Sequence, residues 1–175
     1  MQNITRTLHL MFSVMCLAGL STLAMADQKA SKSATNKAGI YLGIKGIYTD
    51  LAPEATENAG GLGVLMAEHY ANGLGVEVEL NRSQADVNLL DLNTDYTLDT
   101  AGLYGVYRSP GALYVKVRGG LLWKRISVGN DSTNKTGFGG GIGGGYDFGT
   151  LLLEAEYTYV DKDITQIGVS LIGKF

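Results

Sequence analysis

From Ala38 onward, apolar and polar side chains alternate with a period of two. Ile40, Leu42, Ile44, Gly46 and Tyr48 share one face, and Tyr41, Gly43, Lys45, Ile47 and Thr49 the other. In Leu74–Asn81 the faces are Leu74, Val76, Val78 and Leu80 against Gly75, Glu77, Glu79 and Asn81. In Leu113–Lys124 the apolar set ends at Leu121 and Trp123, while Lys116, Arg118 and Lys124 fall opposite. Leu153, Ala155, Tyr157 and Tyr159 alternate with Glu154, Glu156 and Thr158. Such a pattern predicts half-buried β-strands, since successive side chains of a strand point to opposite faces. The register of Gly60–Tyr70 and Thr97–Tyr107 is left open by it. If Leu62, Val64 and Met66 share a face, Glu68 shares it too.

Two architectures fit: a soluble barrel with apolar faces inward, or a membrane barrel with apolar faces toward lipid and polar groups in the lumen. Three features favour the second. Tyr48, Trp123, Tyr157 and Tyr159 lie near strand ends on the apolar faces, as an interfacial girdle would. The polar faces carry charges of both signs, which suits a filled lumen. The connections alternate between longer polar links, near Asp50–Asn58, Ser83–Asn93, Gly129–Thr136 and Asp161–Asp163, and tight turns at Ala71-Asn72-Gly73, Ser109-Pro110-Gly111 and Gly149-Thr150. Four longer links and three turns predict an all-β, eight-stranded, antiparallel up-and-down transmembrane barrel, with its tight turns in the periplasm.

The N-terminus reads as an address. Arg6 precedes a mostly apolar stretch from Leu8 to Ala24, and Ala24-Met25-Ala26 supplies a small-x-small cleavage site. The stretch is short for a spanning helix and is broken by His9, Ser13, Ser21 and Thr22. Lipoprotein processing fits less well, because Cys16 is followed rather than preceded by its small residues. The expected layout is a signal peptide at 1–26, a polar periplasmic leader at 27–37, and the barrel at 38–175. Cleavage leaves 175 − 26 = 149 residues, enough for one domain. Loss of Cys16 leaves no cysteine, so no redox compartment can be read from disulfides. Loss of Arg6 takes the balance from 14 basic and 17 acidic side chains to 13 and 17, about −4. That balance argues against nucleic acid as a partner.

Gly61–Leu80 and Gly137–Tyr157 echo each other, each with a Gly-rich strand, a Tyr, a tight Gly turn and a strand bearing Glu-x-Glu on one face. With these hairpins, Tyr114-Val115-Lys116-Val117-Arg118, and a final strand alternating Ile167, Val169, Leu171, Gly173 and Phe175, the chain resembles the small outer-membrane β-barrel domain family of the outer-membrane protein A and X types over roughly Ala38–Phe175. The resemblance implies insertion into the Gram-negative outer membrane. It also implies that Ile167, Val169, Leu171 and Phe175 form a C-terminal signal read by periplasmic chaperones and the barrel-assembly machinery. Gly173 departs from the aromatic common there. Members of one fold differ widely in activity.

The main candidate constellation is a lumenal charge network of Lys45, Glu77, Glu79, Lys116, Arg118, Glu154 and Glu156, with Lys174 near the periplasmic end. An eight-stranded barrel is just wide enough to be filled by side chains, and acids and bases inside it must pair. A paired-carboxylate hydrolase is disfavoured because bases match the acids. Gly139–Gly144 has the spacing of a dinucleotide fingerprint but lacks the following helix; glycine there suits strand curvature or close approach of lumenal side chains. His69 lies near a periplasmic turn, away from the outer leaflet where a lipid A-modifying His and Ser would act. Acidic residues near the outer rim (Asp50, Glu54, Glu57, Asp86, Asp91, Asp95, Asp131, Asp161 and Asp163) have no calcium-loop spacing. No catalytic, cofactor or metal residue is assigned. The expectation is a monomeric, non-enzymatic barrel with a plugged lumen and a structural role, contacting outer-membrane lipid and lipopolysaccharide. An adhesin acting through its loops and a narrow ion channel are the alternatives.

Overall fold

The computed structural model describes residues 38–51, 58–89, 92–129 and 131–175. Residues 1–37, which include the expected signal peptide and leader, lie outside that set, as do Glu54, Glu57 and Asp91 and the side chains of Asp86 and Asp95. Eight strands follow in order: β1 (Gly39–Leu51), β2 (Ala59–His69), β3 (Leu74–Leu89), β4 (Leu92–Arg108), β5 (Leu113–Val128), β6 (Asp131–Asp147), β7 (Leu151–Asp161) and β8 (Ile164–Lys174). Each pairs antiparallel with the next, and β8 returns to β1 from Tyr41↔Lys174 to Leu51↔Ile164, closing the barrel. Closure removes the free edge that would leave backbone amides unpaired in lipid.

The three tight turns form where expected. Gly73, Gly111 and Gly149 adopt φ of 85°, 125° and 104°, the left-handed region that favours glycine. Asn72 Oδ1 accepts the Leu74 amide at 3.1 Å, and Asp147 Oδ1 accepts the Gly149 amide at 2.7 Å.

The opposite end departs from expectation. Ser83–Asn93 is not a loop: β3 and β4 stay paired from Gln84↔Thr97 to Leu89↔Leu92. Likewise β6 begins at Asp131, opposite Val128, and β7 and β8 are separated only by Lys162 and Asp163. Three of the four outer connections thus leave two residues between strand ends, and the proposed alternation of short and long links does not hold. The asymmetry lies in strand length instead. β3–β6 have 16 or 17 residues, whereas β1, β2, β7 and β8 have 11 to 13. Above the apolar band both faces of a hairpin meet water, so polarity there reports solvent rather than the end of a strand.

The outward face is ordered in rows. Leu80, Ala101, Trp123 and Thr136 are register partners across β3–β6, and two residues below them stand Val78, Leu103, Leu121 and Phe138. Ile44, Val64, Leu113, Val169 and Leu171 are likewise exposed on the outside. A contiguous apolar surface of this extent is untenable in water and suits lipid. Glu68 does face outward with Met66, at the inner end of β2 beside Ile40 and Val76.

Candidate functional site

Inward-facing side chains of the eight strands meet in the lumen and stack as layers. The middle layer holds the charges. Lys45 reaches Glu79 at 2.9 Å and Glu156 at 3.2 Å. Lys116 contacts Glu77 at 2.8 Å, Glu154 at 3.0 Å and Glu156 at 3.2 Å. Arg118 spans Glu77, Glu79 at 2.7 Å and Glu156 at 2.6 Å. Every residue of the predicted network is brought together, and each of these side chains is at most 3 % exposed.

An eighth member was not foreseen. Arg108, the last residue of β4, pairs with Glu154 at 2.6 Å and completes a set of four bases and four acids. Four acids in a low-dielectric lumen create a demand for four bases, which the sequence reading met by counting Lys174 as the fourth. The open register of Thr97–Tyr107 hid the side chain that answers it. Lys174, by contrast, is not part of the network; it pairs with Asp147 at the inner rim. Lys124 pairs with Asp161 toward the outer rim.

Hydroxyl and amide groups border the charges on the outer side. Thr158 donates to Glu156 at 2.8 Å, Asn81 donates to Glu79 at 2.6 Å, and Thr49 bonds Ser83 at 2.9 Å. Apolar clusters close both ends. Tyr96, Leu98, Leu122, Val160 and Ile164 pack in one. Tyr41, Leu65, Ala67, Tyr114, Leu152 and Ile172 pack in the other, on the side of the tight turns. Two tyrosines link aromatic and charged layers: Arg118 lies 4.1 Å from the Tyr104 ring centroid, and the Tyr114 hydroxyl donates to Glu154 at 2.7 Å.

Glycine makes room for this filling. Gly141, Gly143 and Gly145 of β6 face inward, and a Cβ on Gly145 would lie 2.6 Å from the Tyr114 hydroxyl. A Cβ on Gly168 would lie 2.1 Å from Cε of Lys45. The run from Gly139 to Gly144 is strand throughout, as the reading against a nucleotide site expected.

Other expectations divide. Tyr48, Trp123 and Tyr159 are exposed toward the outer end, while Tyr157 points outward but is half-buried. A second aromatic set, Tyr70, Tyr107, Tyr146 and Phe148, is exposed at the inner end beside the expected Phe175 and escaped the sequence reading. Its members fall at strand ends and turns, where alternation is too short to assign a face. Ile167, Val169, Leu171 and Phe175 share the outer face of β8, and the Phe175 amide donates to the Ile40 carbonyl at 2.9 Å, tying the terminus to β1. His69 is buried edge-on against Tyr41 at 4.9 Å, and neither ring nitrogen has a hydrogen-bond partner, so no His–Ser pair is assembled. Among the described residues no cluster of three or more His, Cys, Asp or Glu could hold a metal ion.

The model of the outer membrane protein β-barrel domain matches residues 12–175. The chain belongs to that family. Family membership and closed eight-stranded topology together make it an outer-membrane β-barrel. Solved barrels share the fold at low identity. Neisserial surface protein A superposes with a TM-score of 0.62 at 18 % identity, covering 78 % of this chain and 97 % of its own. Ail, the attachment invasion locus protein of Yersinia pestis, solved with the heparin analogue sucrose octasulfate, gives 0.55 at 16 %, covering 78 % and 96 %. A de novo designed transmembrane β-barrel gives 0.51 at 14 %, covering 82 % and 100 %. No curated protein matches the chain in sequence.

Proposed function

We propose that this family member is a non-conducting, non-enzymatic outer-membrane barrel with a structural role in the envelope. It is exported by a signal peptide at 1–26 and inserted as a monomer. In this reading periplasmic chaperones and the barrel-assembly machinery recognise the C-terminal strand through Ile167, Val169, Leu171 and Phe175. The observation that carries the proposal is the lumen: four acids and four bases in mutual contact, with apolar clusters on both sides. An ion crossing it would have to break several buried pairs at once. Planar-bilayer recording tests this. The wild type should show no steady conductance; steady openings that Lys116→Glu alters would overturn the plug and favour the narrow channel.

A second reading, surface attachment, is favoured by the β3–β6 sheet, which continues past the shorter wall. Above Gly140 the strand β6 pairs with β5 alone, and residues 131–138 are exposed on both faces. A variant joining Ala85 to Tyr96 through Asn-Gly should fold and insert as before. Loss of adhesion by cells carrying it would favour attachment over a purely structural role.

A further inference from the structure

The inner end of the lumen encloses a small polar chamber. Its polar walls are Tyr41 of β1, His69 of β2, Arg108 of β4, Tyr114 of β5, Asp147 of β6 and Lys174 of β8. The cavity measures about 10 Å³, room for no more than one water molecule. On the β3 side a Cβ at Gly75 would lie 2.5 Å from Nδ1 of His69, so a glycine there is what admits the imidazole.

His69 is 2 % exposed, and among the described residues neither ring nitrogen has a hydrogen-bond partner, an uncommon state for a buried polar group. Its ring stands edge-on to Tyr41. The charges that act on it are Arg108, Lys116 and Glu154, with Asp147 and Lys174 across the chamber. Both carboxylates are already engaged. Asp147 pairs with Lys174, and Glu154 takes Arg108 at 2.6 Å, Lys116 at 3.0 Å and the Tyr114 hydroxyl at 2.7 Å. A neutral imidazole fits this setting as a flat ring against Tyr41. An imidazolium would add a cation beside Arg108 and Lys116, with two N–H donors and no acceptor in place for either.

The side chain also has a way out. His69 ends β2, and the turn that follows is held by the Tyr70 amide on the Leu74 carbonyl at 2.8 Å and the Gly73 amide on the Tyr70 carbonyl at 3.0 Å. The hairpin keeps these backbone bonds while the imidazole rotates from the chamber to water at the inner mouth.

We propose that His69 is a proton-operated latch on the inner end of the plug: neutral, it seals the chamber; protonated, it swings out and admits water to the Arg108–Glu154 pair. The inference rests on the plugged-lumen and outer-membrane readings above, which turn this end toward the periplasm. The closed state binds the proton less well than the open or the unfolded state. Closure is therefore strongest above the ordinary imidazole value of about 6.5, and weakens as the pH falls below it.

Of the two histidines, His9 lies in the expected signal peptide, so the mature barrel carries His69 alone. Between about pH 7.5 and about pH 5 its imidazole is the one side chain whose ordinary value is crossed. The test uses the full mature barrel refolded into phosphatidylcholine vesicles, with the shifted gel band reporting folding. The urea midpoint of the wild type should fall across that pH range. Those of His69→Phe and His69→Gln should stay level across it, whatever their absolute stability. In detergent micelles, NMR of the labelled histidine should show an imidazole that titrates below its ordinary range and loses its contact with the Tyr41 ring as it does so. A wild-type midpoint independent of pH, an equal fall in both variants, titration in the ordinary range, or an imidazolium still against Tyr41 would each overturn the latch. Steady conductance at neutral pH would instead overturn the plug on which the latch depends. A protein with no folded band in vesicles would overturn the membrane reading, and both results are distinct from failure of the latch alone.

Discussion

The strands β3–β6 pass through two environments, and the ion pairs they carry differ accordingly. In the lumen Lys116 meets Glu77 at 2.8 Å and Glu154 at 3.0 Å, all three at most 2 % exposed. On the outside of the projecting sheet Arg82 meets Asp99 at 2.6 and 3.0 Å, with side chains 65 % and 33 % exposed. The distances are alike; the surroundings are not. A surface pair gains little because water solvates its separated charges almost as well, and salt screens what remains. A lumenal charge has no such refuge, so losing its partner leaves a desolvation cost with nothing to offset it. Distance alone therefore says little about what a pair contributes.

The sharpest way to break the comparison is to remove one lumenal charge. Lys116→Met leaves Glu77, Glu154 and Glu156 short of a shared cation, and should destabilise the barrel by about 3–5 kcal/mol in urea unfolding from phospholipid vesicles. Adding Glu77→Gln to Lys116→Met should recover part of that loss, because the charge count is balanced again. A loss below about 1 kcal/mol for the single variant, as for a surface pair, would show that water fills the lumen and the network is solvated.

A smaller effect is expected from crowding the network without changing its charge. Gly168→Val places a branched side chain where Lys45 crosses β8, within 2.1 Å of its Cε for the first added atom. Lys45 would be pushed off Glu79 and Glu156, at about 1–3 kcal/mol by the usual scale of overpacking. Gly60, with nothing within 4 Å of an added Cβ, is the matched control on the outer face, where Gly60→Ala should be nearly silent.

The contrast between lumen and projecting sheet also marks what the sequence could convey. Wherever one face was apolar and the other charged, period two put Lys45, Glu77, Glu79, Lys116, Arg118, Glu154 and Glu156 on the polar faces, and in the structure these side chains meet in one network. The count of eight strands came instead from the links, above all from the turns at Asn72-Gly73 and Pro110-Gly111, whose Asn, Gly and Pro mark chain reversals. Above the membrane the contrast between faces vanishes, and Ser83–Asn93 was read as a loop although it is mostly paired strand. Arg108 was missed because it falls at a strand end whose register the pattern left open. Trp123 was visible as a residue, but the outward row it forms with Leu80, Ala101 and Thr136 depends on four neighbouring strands being in register, which one strand's alternation does not contain.

The weakest expected effect lies on the exposed side of the comparison. The Arg82 guanidinium, hydrogen-bonded to Asp99, holds that carboxyl below the ordinary carboxylate range, a shift opposed by partial burial and helped by nearby Arg125. A depressed folded-state value means that whatever the pair contributes is present above the unfolded value, and is lost as the pH falls through the folded one. Arg82→Ala should therefore move the urea midpoint slightly at pH 7, far less than Lys116→Met, and that difference should disappear on acidification to a pH below the carboxylate range or in molar salt. A midpoint shift at pH 7 comparable to the lumenal variant would mean that the projecting sheet is covered in the membrane, with the pair shielded from water. That result would place the lipid boundary above Arg82 and Asp99 rather than beneath them.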